Sequence, residues 1–486
     1  MKKVAIKSLS TGIPGLDRVL VGGLPEFSFN VIAGAPGCGK TTLAHQLMFE
    51  MAKNNAPALY FTVLGEPPLK MLRHQQQFDF FDEQKIGQSI HFINLAEEAF
   101  GGDLKVVLQR IVDEVRIHQP KLLFVDSFPA VVLASEAGQQ SHNHRQRFMQ
   151  QLSQLLTSWQ ITSFLIGEYF NEAVNKPVFT VADGLIWLRQ SVQRNAMVRK
   201  LEIMKMRGKP ILPGLHTYRI TSHKGIQVFA PSDSIEPPEV IRAPVYSRLA
   251  MGVAHLDEML GGGLPSGYTL LVVGPSGSGK SVLATAFLAE GIRNGETAVI
   301  ANFEQNPYLS RNPALVGLLN SGQVGVLYSL APDLSIEELT LKLVDEVRRL
   351  KATRVVIDSL SGFELSLAPT FRADFRESLA RLIRALSNIG VSVLLISELE
   401  DSYTELRLSL HRTAFLADAI IMQRYIEVES RLLRVMSVVK VRGSRHSNQL
   451  RQYVIDDEGI HIGAPLTDQE GLLGGQPAAS SGDDSA

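Results

Sequence analysis

A glycine-rich stretch occurs twice in this chain, and its repetition most restricts how the chain can fold. GAPGCGKTTL begins at Gly34 and GPSGSGKSVL begins at Gly274. Each copy follows G-x-x-x-L-D and G-G-L-P, and precedes an aspartate that ends an apolar run and a segment of the form R-x5-K-x-R-G. The copies are offset by about 240 residues, the size of a domain and far longer than a solenoid repeat. We therefore predict two tandem domains of one fold.

The boundaries of these domains follow from composition. We predict a first domain at 1–232, a linker at 233–248, a second domain at 249–465 and a C-terminal tail at 466–486. The linker holds three prolines and scattered charges without periodicity. The tail is small, polar and acidic, which predicts disorder. We see no signal peptide and no run of about 18 apolar residues, so we expect no membrane span.

The pattern of apolar residues predicts an α/β fold. FNVIAG, ALYFTV, LLFVD and SFLIG have the length and the β-branched or aromatic content of strands. TTLAHQLMFEMAKN and DLKVVLQRIVDEVRIHQ have helical spacing. Continuous apolar strands that alternate with helices indicate a mainly parallel sheet covered by helices on both faces. We expect two tandem α/β domains of this kind.

Composition restricts the class of partner and the compartment. The formal net charge is -1, which argues against a protein that binds nucleic acid over its whole surface. Hydrophobic residues make up 45% and charged residues 20%, as in ordinary globular proteins. Cys38 is the one cysteine, so no intramolecular disulfide can form, and a reducing cytoplasmic compartment is expected.

Both glycine-rich stretches match G-x-x-x-x-G-K-[ST], the pattern of a loop that holds nucleotide phosphates. Its glycines turn backbone N–H groups toward the phosphates, and the following helix presents its positive end. We expect the lysine to reach the β- and γ-phosphates of ATP and the next hydroxyl to ligate Mg²⁺. The predicted nucleotide contacts are Gly37, Cys38, Gly39, Lys40, Thr41 and Thr42, then Ser276, Gly277, Ser278, Gly279, Lys280, Ser281 and Val282.

An acidic residue ends an apolar strand in each copy. Asp126 and Asp358 are each followed by serine. A carboxylate at the carboxyl end of a strand beside the phosphate loop can hold a water on Mg²⁺, so we predict both as metal-site residues. The alternative is an aspartate that only caps the next turn.

A general base must orient water toward the γ-phosphate, and here the copies differ. We predict Glu304 as the base of the second domain and as a residue facing its metal. Alignment on the later proline of the first copy sets Gly65 opposite Glu304 and Glu66 opposite Gln305. A one-residue shift would restore Glu66 as the base. We expect slow hydrolysis in the first domain; the alternative is that either glutamate is a solvated loop charge.

The basic segment near the end of each domain supplies further candidates. Lys and Arg two residues apart share one face of a strand and can offer two cations to a triphosphate. Because they lie far from the phosphate loop in sequence, we expect a neighbouring subunit to supply them. An exposed basic edge that prevents aggregation is the alternative. The catalytic candidates are Lys205, Arg207, Lys440 and Arg442, and Arg199 and Arg434 are predicted nucleotide contacts.

These elements together resemble the KaiC family, the double-domain RecA-like ATPases of the bacterial circadian clock and its relatives. The resemblance rests on STGIPGLD, GGGLPSG, both phosphate loops, FEQNP, KMRG and KVRGSRHS, and spans nearly the whole chain. It implies two tandem RecA-like P-loop NTPase domains and a two-tier homohexamer with ATP and Mg²⁺ at subunit interfaces. It also implies ATPase activity, and a KaiB-like or other signalling protein as partner.

Clock members of this family also phosphorylate a Ser–Thr pair in the second domain. Alignment on Asp418 places Ala414 and Phe415 at that pair, and neither has a hydroxyl; Thr413 lies one residue earlier. We therefore predict a regulatory ATPase without phosphorylation of the pair. An autokinase that uses another hydroxyl, and a DNA-dependent motor of the RecA or DnaB type, remain as alternatives. Near-neutral charge and the lack of an aromatic-basic strand-binding loop argue against the motor.

Overall fold

The structure is a computed structural model, and the chain divides into two units, Met1–Ser234 and Ile235–Ala486. The described residues are 6–53, 56–63, 68–101, 103–129, 141–169, 177–193, 196–231, 247–329, 335–372, 375–399, 414–428, 430–466, 469–470 and 478–479. Most of the predicted linker and most of the predicted tail lie outside them.

Among the described residues, each unit contains one large sheet and a small two-stranded ribbon, and the second unit has a further two-stranded ribbon near its C-terminal end. The strands of the first unit are β1 (Ser8–Leu9), β2 (Leu24–Pro25), β3 (Phe29–Gly34), β4 (Ala58–Thr62), β5 (Ile90–Asn94), β6 (Leu122–Asp126), β7 (Thr162–Glu168), β8 (Gly184–Gln193), β9 (Ala196–Met206), β10 (Leu215–Thr221) and β11 (Gly225–Phe229). Its helices are Leu16–Val19, Lys40–Ala52, Pro68–Gln75, Ala96–Phe100, Leu104–His118, Ser141–Ser158 and Pro177–Val181, with a 3₁₀ turn at Glu83–Lys85.

The second unit repeats this order. Its strands are β12 (Arg248–Leu249), β13 (Leu264–Pro265), β14 (Thr269–Gly274), β15 (Ala298–Asn302), β16 (Val324–Tyr328), β17 (Arg354–Asp358), β18 (Ser392–Glu398), β19 (Ala419–Val428), β20 (Arg431–Val441), β21 (Arg451–Asp456), β22 (Gly459–Pro465), β23 (Gln469–Glu470) and β24 (Ala478–Ala479). Its helices are Leu256–Met259, Lys280–Arg293, Pro313–Asn320, Ile336–Leu350, Leu360–Ser366, Pro369–Arg372 and Phe375–Asn388, with a 3₁₀ turn at Pro307–Leu309.

The two large sheets have the same strand order. In the first unit it is β11-β10-β9-β8-β3-β7-β6-β4-β5, and in the second it is β22-β21-β20-β19-β14-β18-β17-β15-β16. The strands from β8 to β5 are parallel, and β9, β10 and β11 extend the sheet as antiparallel strands. The predicted mainly parallel sheet is confirmed, and the strands predicted from FNVIAG and LLFVD lie at the predicted residues.

Both faces of the central strands β3 and β14 are buried, which explains why these strands are continuously apolar. In β3, Ile32 packs with Leu43 and Leu47 of the helix that follows the phosphate loop. Its neighbours Val31 and Ala33 pack on the opposite face, against the helices Leu104–His118 and Ser141–Ser158. No helix in the described part of the chain is long and apolar enough to span a membrane.

One ionisable side chain is buried within the first core. His45 is fully buried, and its ring lies 4.6 Å from that of Tyr60 and 6.1 Å from that of Phe92. Burial lowers the pKa of His45 to about 3, and the facing Gln75 amide opposes this only in part. The unfolded chain therefore takes up a proton near its ordinary pKa of 6.5, while the folded chain does not. Stability is present above pH 6.5 and is lost as the pH falls below it.

Acidification should therefore destabilise the first unit through His45. Between pH 7 and pH 5.5 we expect the free energy of unfolding to fall by about 1 kcal/mol more in the wild type than in His45→Phe, which cannot be protonated. Trp159 and Trp187, the chain's two tryptophans, both lie in the first unit. Urea unfolding followed by tryptophan fluorescence therefore reports on that unit, and equal pH dependence in both proteins would contradict the prediction.

Candidate nucleotide and metal sites

Each glycine-rich stretch forms a tight loop between a central strand and a helix. It joins β3 to the helix Lys40–Ala52, and β14 to the helix Lys280–Arg293. Gly39 and Gly279 have φ values of 94° and 97°, in the left-handed region. A Cβ on Gly39 would also lie 2.5 Å from Ile220 Cδ1, so the position requires glycine. The predicted strand–loop–helix context is confirmed in both units.

The loop lysines lie against the loops from which they arise. Lys40 Nζ donates to Ala35 O at 2.9 Å, and Lys280 Nζ donates to Gly274 O at 2.8 Å and to Pro275 O at 2.7 Å. Both ammonium groups therefore lie where the loop curls, within reach of an anion held by its backbone N–H groups.

The hydroxyl after each lysine contacts the predicted metal aspartate. Thr41 Oγ1 donates to Asp126 Oδ2 at 2.8 Å, and Ser281 Oγ donates to Asp358 Oδ2 at 2.8 Å. Residues 85 and 77 positions apart in sequence thus meet in the same geometry in both units. A hydroxyl and a carboxylate are oxygen ligands of the kind that Mg²⁺ prefers, so the donor set fits the expected metal.

The aspartates lie in a dry environment. Burial raises the pKa of Asp126, against which hydrogen bonds from Tyr60 and Thr41 act. Burial also raises the pKa of Asp358 to about 6, with the nearby Glu304 carboxylate acting in the same direction. A divalent cation would offset this accumulation of negative charge, which is the arrangement expected of a metal site.

The predicted base of the second unit lies beside its metal aspartate. The Ser359 hydroxyl donates to Glu304 Oε1, and Asn302 Oδ1 accepts from Glu304 N at 3.0 Å. Glu304 is close enough to Lys280 and Asp358 for its charge to act on the pKa of both in the raising direction. The loop after β15 therefore fixes a carboxylate beside the phosphate loop, as water activation requires.

The strand register revises the alignment of this region in the first unit. Thr62 pairs with Asp126 as Asn302 pairs with Asp358. The next residues repeat the match, because Val63 N donates to Asp126 O at 3.2 Å and Phe303 N donates to Asp358 O at 3.3 Å. The strands β4 and β15 therefore align residue by residue, and the gap that the alignment on the later proline required is not needed.

This register changes which residue corresponds to the base. Counted forward from Thr62, Leu64 takes the position of Glu304, where alignment on the later proline had set Gly65. Glu66 then corresponds to Asn306 rather than Gln305. Glu66 and its neighbours at 64–67 lie outside the described residues, so its role as a base stays a prediction.

Lys205 and Arg207 lie at the opposite end of the sheet from their own phosphate loop. Arg207 Nη1 contacts Asp183 Oδ1 at 3.3 Å, and Asp183 Oδ2 accepts from Phe29 N at 3.1 Å. Phe29 begins β3 and the loop begins at its other end, after Gly34. Because a strand rises about 3.3 Å per residue, the two places are roughly 17 Å apart. These cations cannot reach a phosphate held by the loop of their own unit.

The second unit repeats this placement. Arg442 Nη1 contacts Asp418 Oδ1 at 3.2 Å, Asp418 Oδ2 accepts from Thr269 N at 3.1 Å, and Lys440 Nζ donates to Ala417 O at 2.6 Å. The side chains of Arg207 and Arg442 are 57% and 52% exposed, so a neighbouring molecule can reach them. A β-bulge interrupts β8–β9 and β19–β20 just before the lysine.

Arg199 and Arg434 lie at the other end of the same strands. Arg199 pairs with Gln190, whose Nε2 donates to Pro36 O of the phosphate loop at 3.2 Å. Arg434 lies 5.7 Å from the centre of the Tyr425 ring, and a Cβ on Gly277 would lie 3.1 Å from the Tyr425 hydroxyl. The R-x5-K-x-R-G segment therefore serves two places, its first arginine beside its own loop and the last two cations far from it.

Cys38 lies inside the first phosphate loop. Its position at a helix N-terminus predicts a lowered pKa, but burial dominates and raises the pKa of the thiol. The fully buried Cys38 packs in the same apolar cluster as Leu188. At the equivalent place of the second unit, Ser278 Oγ donates to Gln423 Oε1 at 3.1 Å. An apolar pair in one unit thus replaces a hydrogen-bonded pair in the other.

Sequence reasoning missed three side chains at these sites. Glu168 ends β7, and its Oε1 lies 4.0 Å from Lys40 Nζ; Glu398 ends β18 and interacts electrostatically with Lys280. These two glutamates could have been found from the sequence, because each directly follows a corresponding apolar stretch, SFLIG in the first unit and LLIS in the second. Tyr60 donates to Asp126 Oδ2 at 2.8 Å, and its place inside an apolar strand gave no such signal.

The place of the Ser–Thr pair is partly described. Phe415 O accepts from Arg442 Nη2 at 2.8 Å, and the Arg376 guanidinium lies 4.6 Å from the centre of the Phe415 ring. Ala414 and Phe415 carry no hydroxyl that could accept a phosphate. Thr413 lies outside the described residues.

Two mainly parallel sheets, each with a glycine-rich loop and a hydroxyl–aspartate pair at the carboxyl ends of its strands, define a tandem RecA-like P-loop protein. The sequence profile of the family described as "ATPase: KaiC" matches residues 9–233, 249–318 and 320–467. The chain belongs to this KaiC family of ATPases.

Individual relatives extend over nearly the whole chain. The chain is 28% identical to the circadian clock protein KaiC3 of Synechocystis, over 97% of this chain and 95% of that protein. It is 27% identical to the circadian clock oscillator protein KaiC of Picosynechococcus, over 97% and 92%. With KaiC of Prochlorococcus marinus the identity is 26%, over 99% and 97%.

Proposed function

We propose that this protein binds and hydrolyses ATP as a two-tier homohexamer and signals its nucleotide state to a protein partner. The observation that carries this proposal is the placement of Lys440 and Arg442. They lie at the end of the sheet opposite the phosphate loop of their own unit, so any nucleotide that they serve is held by another domain, as a neighbouring subunit would provide. A ring supplies such a neighbour to every site.

Within each site the chain's own residues have separate tasks. The loop N–H groups and Lys40 or Lys280 hold the phosphates, while Thr41 with Asp126, or Ser281 with Asp358, would hold Mg²⁺. When bound, Mg²⁺ neutralises charge on the β- and γ-phosphates. Glu304 accepts the proton of the attacking water in the second unit, and the neighbouring subunit's cations stabilise the transferred phosphoryl group.

The two units perform these tasks unequally. The second unit has Glu304 held by Ser359, whereas counting along the sequence from Thr62 aligns Leu64 with Glu304. We assign most of the hydrolysis to the second unit. The first unit chiefly binds ATP and assembles the ring; Glu66 is the remaining candidate for its base.

The partner and the compartment follow the relatives. The relatives are named as circadian clock proteins, and a KaiB-like or other signalling protein is the partner that this kinship favours. We propose cytoplasmic action without phosphorylation of a Ser–Thr pair, since Ala414 and Phe415 occupy those positions. Intact mass after incubation with ATP tests the last point, because an added phosphate on any hydroxyl would contradict it.

Alanine at each loop lysine tests the division of labour. We expect Lys280→Ala to lower ATP turnover by at least about 100-fold while the protein still forms hexamers with ATP. Lys40→Ala should lower the hexamer fraction, because the first unit then holds ATP poorly. Turnover per hexamer, measured at concentrations that restore assembly, should stay within a few-fold of the wild type. Steady-state phosphate release and native mass spectrometry give both quantities.

The surface variant Lys342→Ala is the control for loss of a lysine. Lys342 is half exposed on the helix Ile336–Leu350, where its Nζ pairs with Oε1 of the buried Glu338 at 2.8 Å. Wild-type protein without any ATP turnover, or turnover that persists in Lys280→Ala, would rule out the proposed function.

A further inference from the structure

The two units differ in the residue of the neighbouring strand that lies beside the metal aspartate. Tyr60 is the third residue of β4 and pairs with Phe124 of β6; Ile300 is the third residue of β15 and pairs with Val356 of β17. The Tyr60 hydroxyl donates to Asp126 Oδ2 at 2.8 Å. Ile300 offers no donor at the equivalent place beside Asp358.

Tyr60 is rigidly held. The side chain is fully buried, its ring stacks on Phe124 with centroids 5.8 Å apart, and it lies 5.3 Å from Phe92 and 4.6 Å from His45. These contacts fix the ring and hold the hydroxyl oxygen 2.8 Å from Asp126 Oδ2. A phenol is a hydrogen-bond donor at neutral pH, and the carboxylate that Tyr60 contacts here is that of Asp126.

Tyr60 and Thr41 donate to the same oxygen of Asp126. In the proposed site the Thr41 hydroxyl would be one of the residues that hold Mg²⁺, and it would then no longer be free to donate to Asp126 in the same way. The Tyr60 hydroxyl has no such second task. It can keep the carboxylate charged and oriented throughout, as the outer hydrogen bonds of metal ligands generally do.

The second unit has a polar cavity at the corresponding place. It has a volume of about 40 Å³ and lies beside Asp358 and Ile300. Thr285, which stands at the position of His45, also lines it, with Asn302 and Asn312. Apolar side chains line part of it, but a cavity of this size has room for an ordered water, which needs roughly 10–15 Å³ and two to four polar partners.

We infer that Tyr60 is a positioning residue of the first metal site, and that its hydroxyl supplies to Asp126 the hydrogen bond that an ordered water supplies to Asp358. The inference rests on the proposed binding of nucleotide and Mg²⁺. In the first unit a side chain then orients the metal aspartate. In the second unit an ordered water does so.

Removal of the one hydroxyl tests this role. Tyr60→Phe keeps the ring, and Lys280→Ala as background weakens nucleotide binding by the second unit. Mn²⁺ serves as probe, with the free ion measured by electron paramagnetic resonance in the presence of saturating ADP. We expect Tyr60→Phe to weaken Mn²⁺ binding about tenfold. Fluorescent ADP measured in EDTA should bind unchanged, because the hydroxyl does not contact the phosphate loop.

A double-mutant cycle with Asp126→Asn separates positioning from packing. If Tyr60 acts through the carboxylate, Tyr60→Phe should have no further effect on Mn²⁺ binding in Asp126→Asn. Unchanged Mn²⁺ affinity in the single variant, or a full tenfold loss in the Asp126→Asn background, would overturn the inference. Absence of Mn²⁺–ADP binding in the Lys280→Ala parent would instead overturn the proposed function of the first unit, and the inference with it.

A second measurement does not depend on the variant folding. A high-resolution structure of the wild type with ADP and Mg²⁺ should show a water bonded to Asp358 in the cavity beside Ile300. It should show the Tyr60 hydroxyl still bonded to Asp126. An empty cavity, or a Tyr60 hydroxyl turned away from Asp126, would overturn the equivalence between the phenol and the water.

Discussion

Replacing Arg442 by alanine should lower ATP turnover by about 10³-fold, with nucleotide affinity changed only a few-fold. The guanidinium lies at the end of the sheet away from its own loop, so its loss does not alter the pocket that holds ATP. It removes the charge that a neighbouring subunit would place on the transferred phosphoryl group. Turnover and binding of a fluorescent ATP analogue measure the two effects separately.

Mixing two inactive variants tests whether Arg442 acts across an interface. Arg442→Ala subunits keep an intact loop, and Lys280→Ala subunits keep an intact arginine. In randomly mixed rings about a quarter of the second-unit interfaces should combine the two, so activity should reappear. Arg445→Ala removes an exposed arginine three residues away and should have little effect. Mixtures as inactive as their components would contradict action in trans.

Glu304→Gln should lower turnover by about 100-fold without loss of ATP binding. The amide keeps the size of the side chain and can still accept the hydrogen bond from Ser359, but it cannot accept a proton from water. Phosphate release under saturating ATP measures the loss, and native mass spectrometry should show rings that retain ATP.

Glu66→Gln is the matched variant in the first unit. Since the strand register sets Glu66 opposite Asn306, we expect its turnover to stay within about two-fold of the wild type. A large loss in Glu66→Gln would show that the first unit hydrolyses ATP through Glu66. A small loss in Glu304→Gln would remove Glu304 as the base.

The fold and the inner part of each site could be predicted from sequence. The strand Phe29–Gly34 is continuously apolar because both of its faces are buried, and a continuously apolar run of strand length is readable without coordinates. Thr41 and Asp126 meet because both follow the carboxyl ends of parallel strands in one sheet, a rule that needs only strand order.

Other features depend on three-dimensional geometry that the spacing of residues in the sequence does not specify. Arg199 and Lys205 read as one basic element, yet the long strand β9 places them at opposite ends of the sheet, with a bulge between them. The position of Leu64 opposite Glu304 needed the pairing of Thr62 with Asp126, because a repeated proline gave an equally good alignment. The contact of Tyr60 depends on which face of β4 it occupies beside β6.

The paired substitutions inside the two phosphate loops bear on how such a chain can evolve. In the first loop Cys38 packs in an apolar cluster with Leu188, and in the second loop Ser278 donates a hydrogen bond to Gln423. Each loop residue therefore suits the partner in its own unit. A gene-conversion event that copied the first loop alone over the second would leave the Gln423 amide buried against a thiol. The loops look interchangeable as short stretches of sequence. Their partners lie more than 100 residues further along the chain, so a loop exchanged alone would lose the partner that its buried side chain packs against or bonds with.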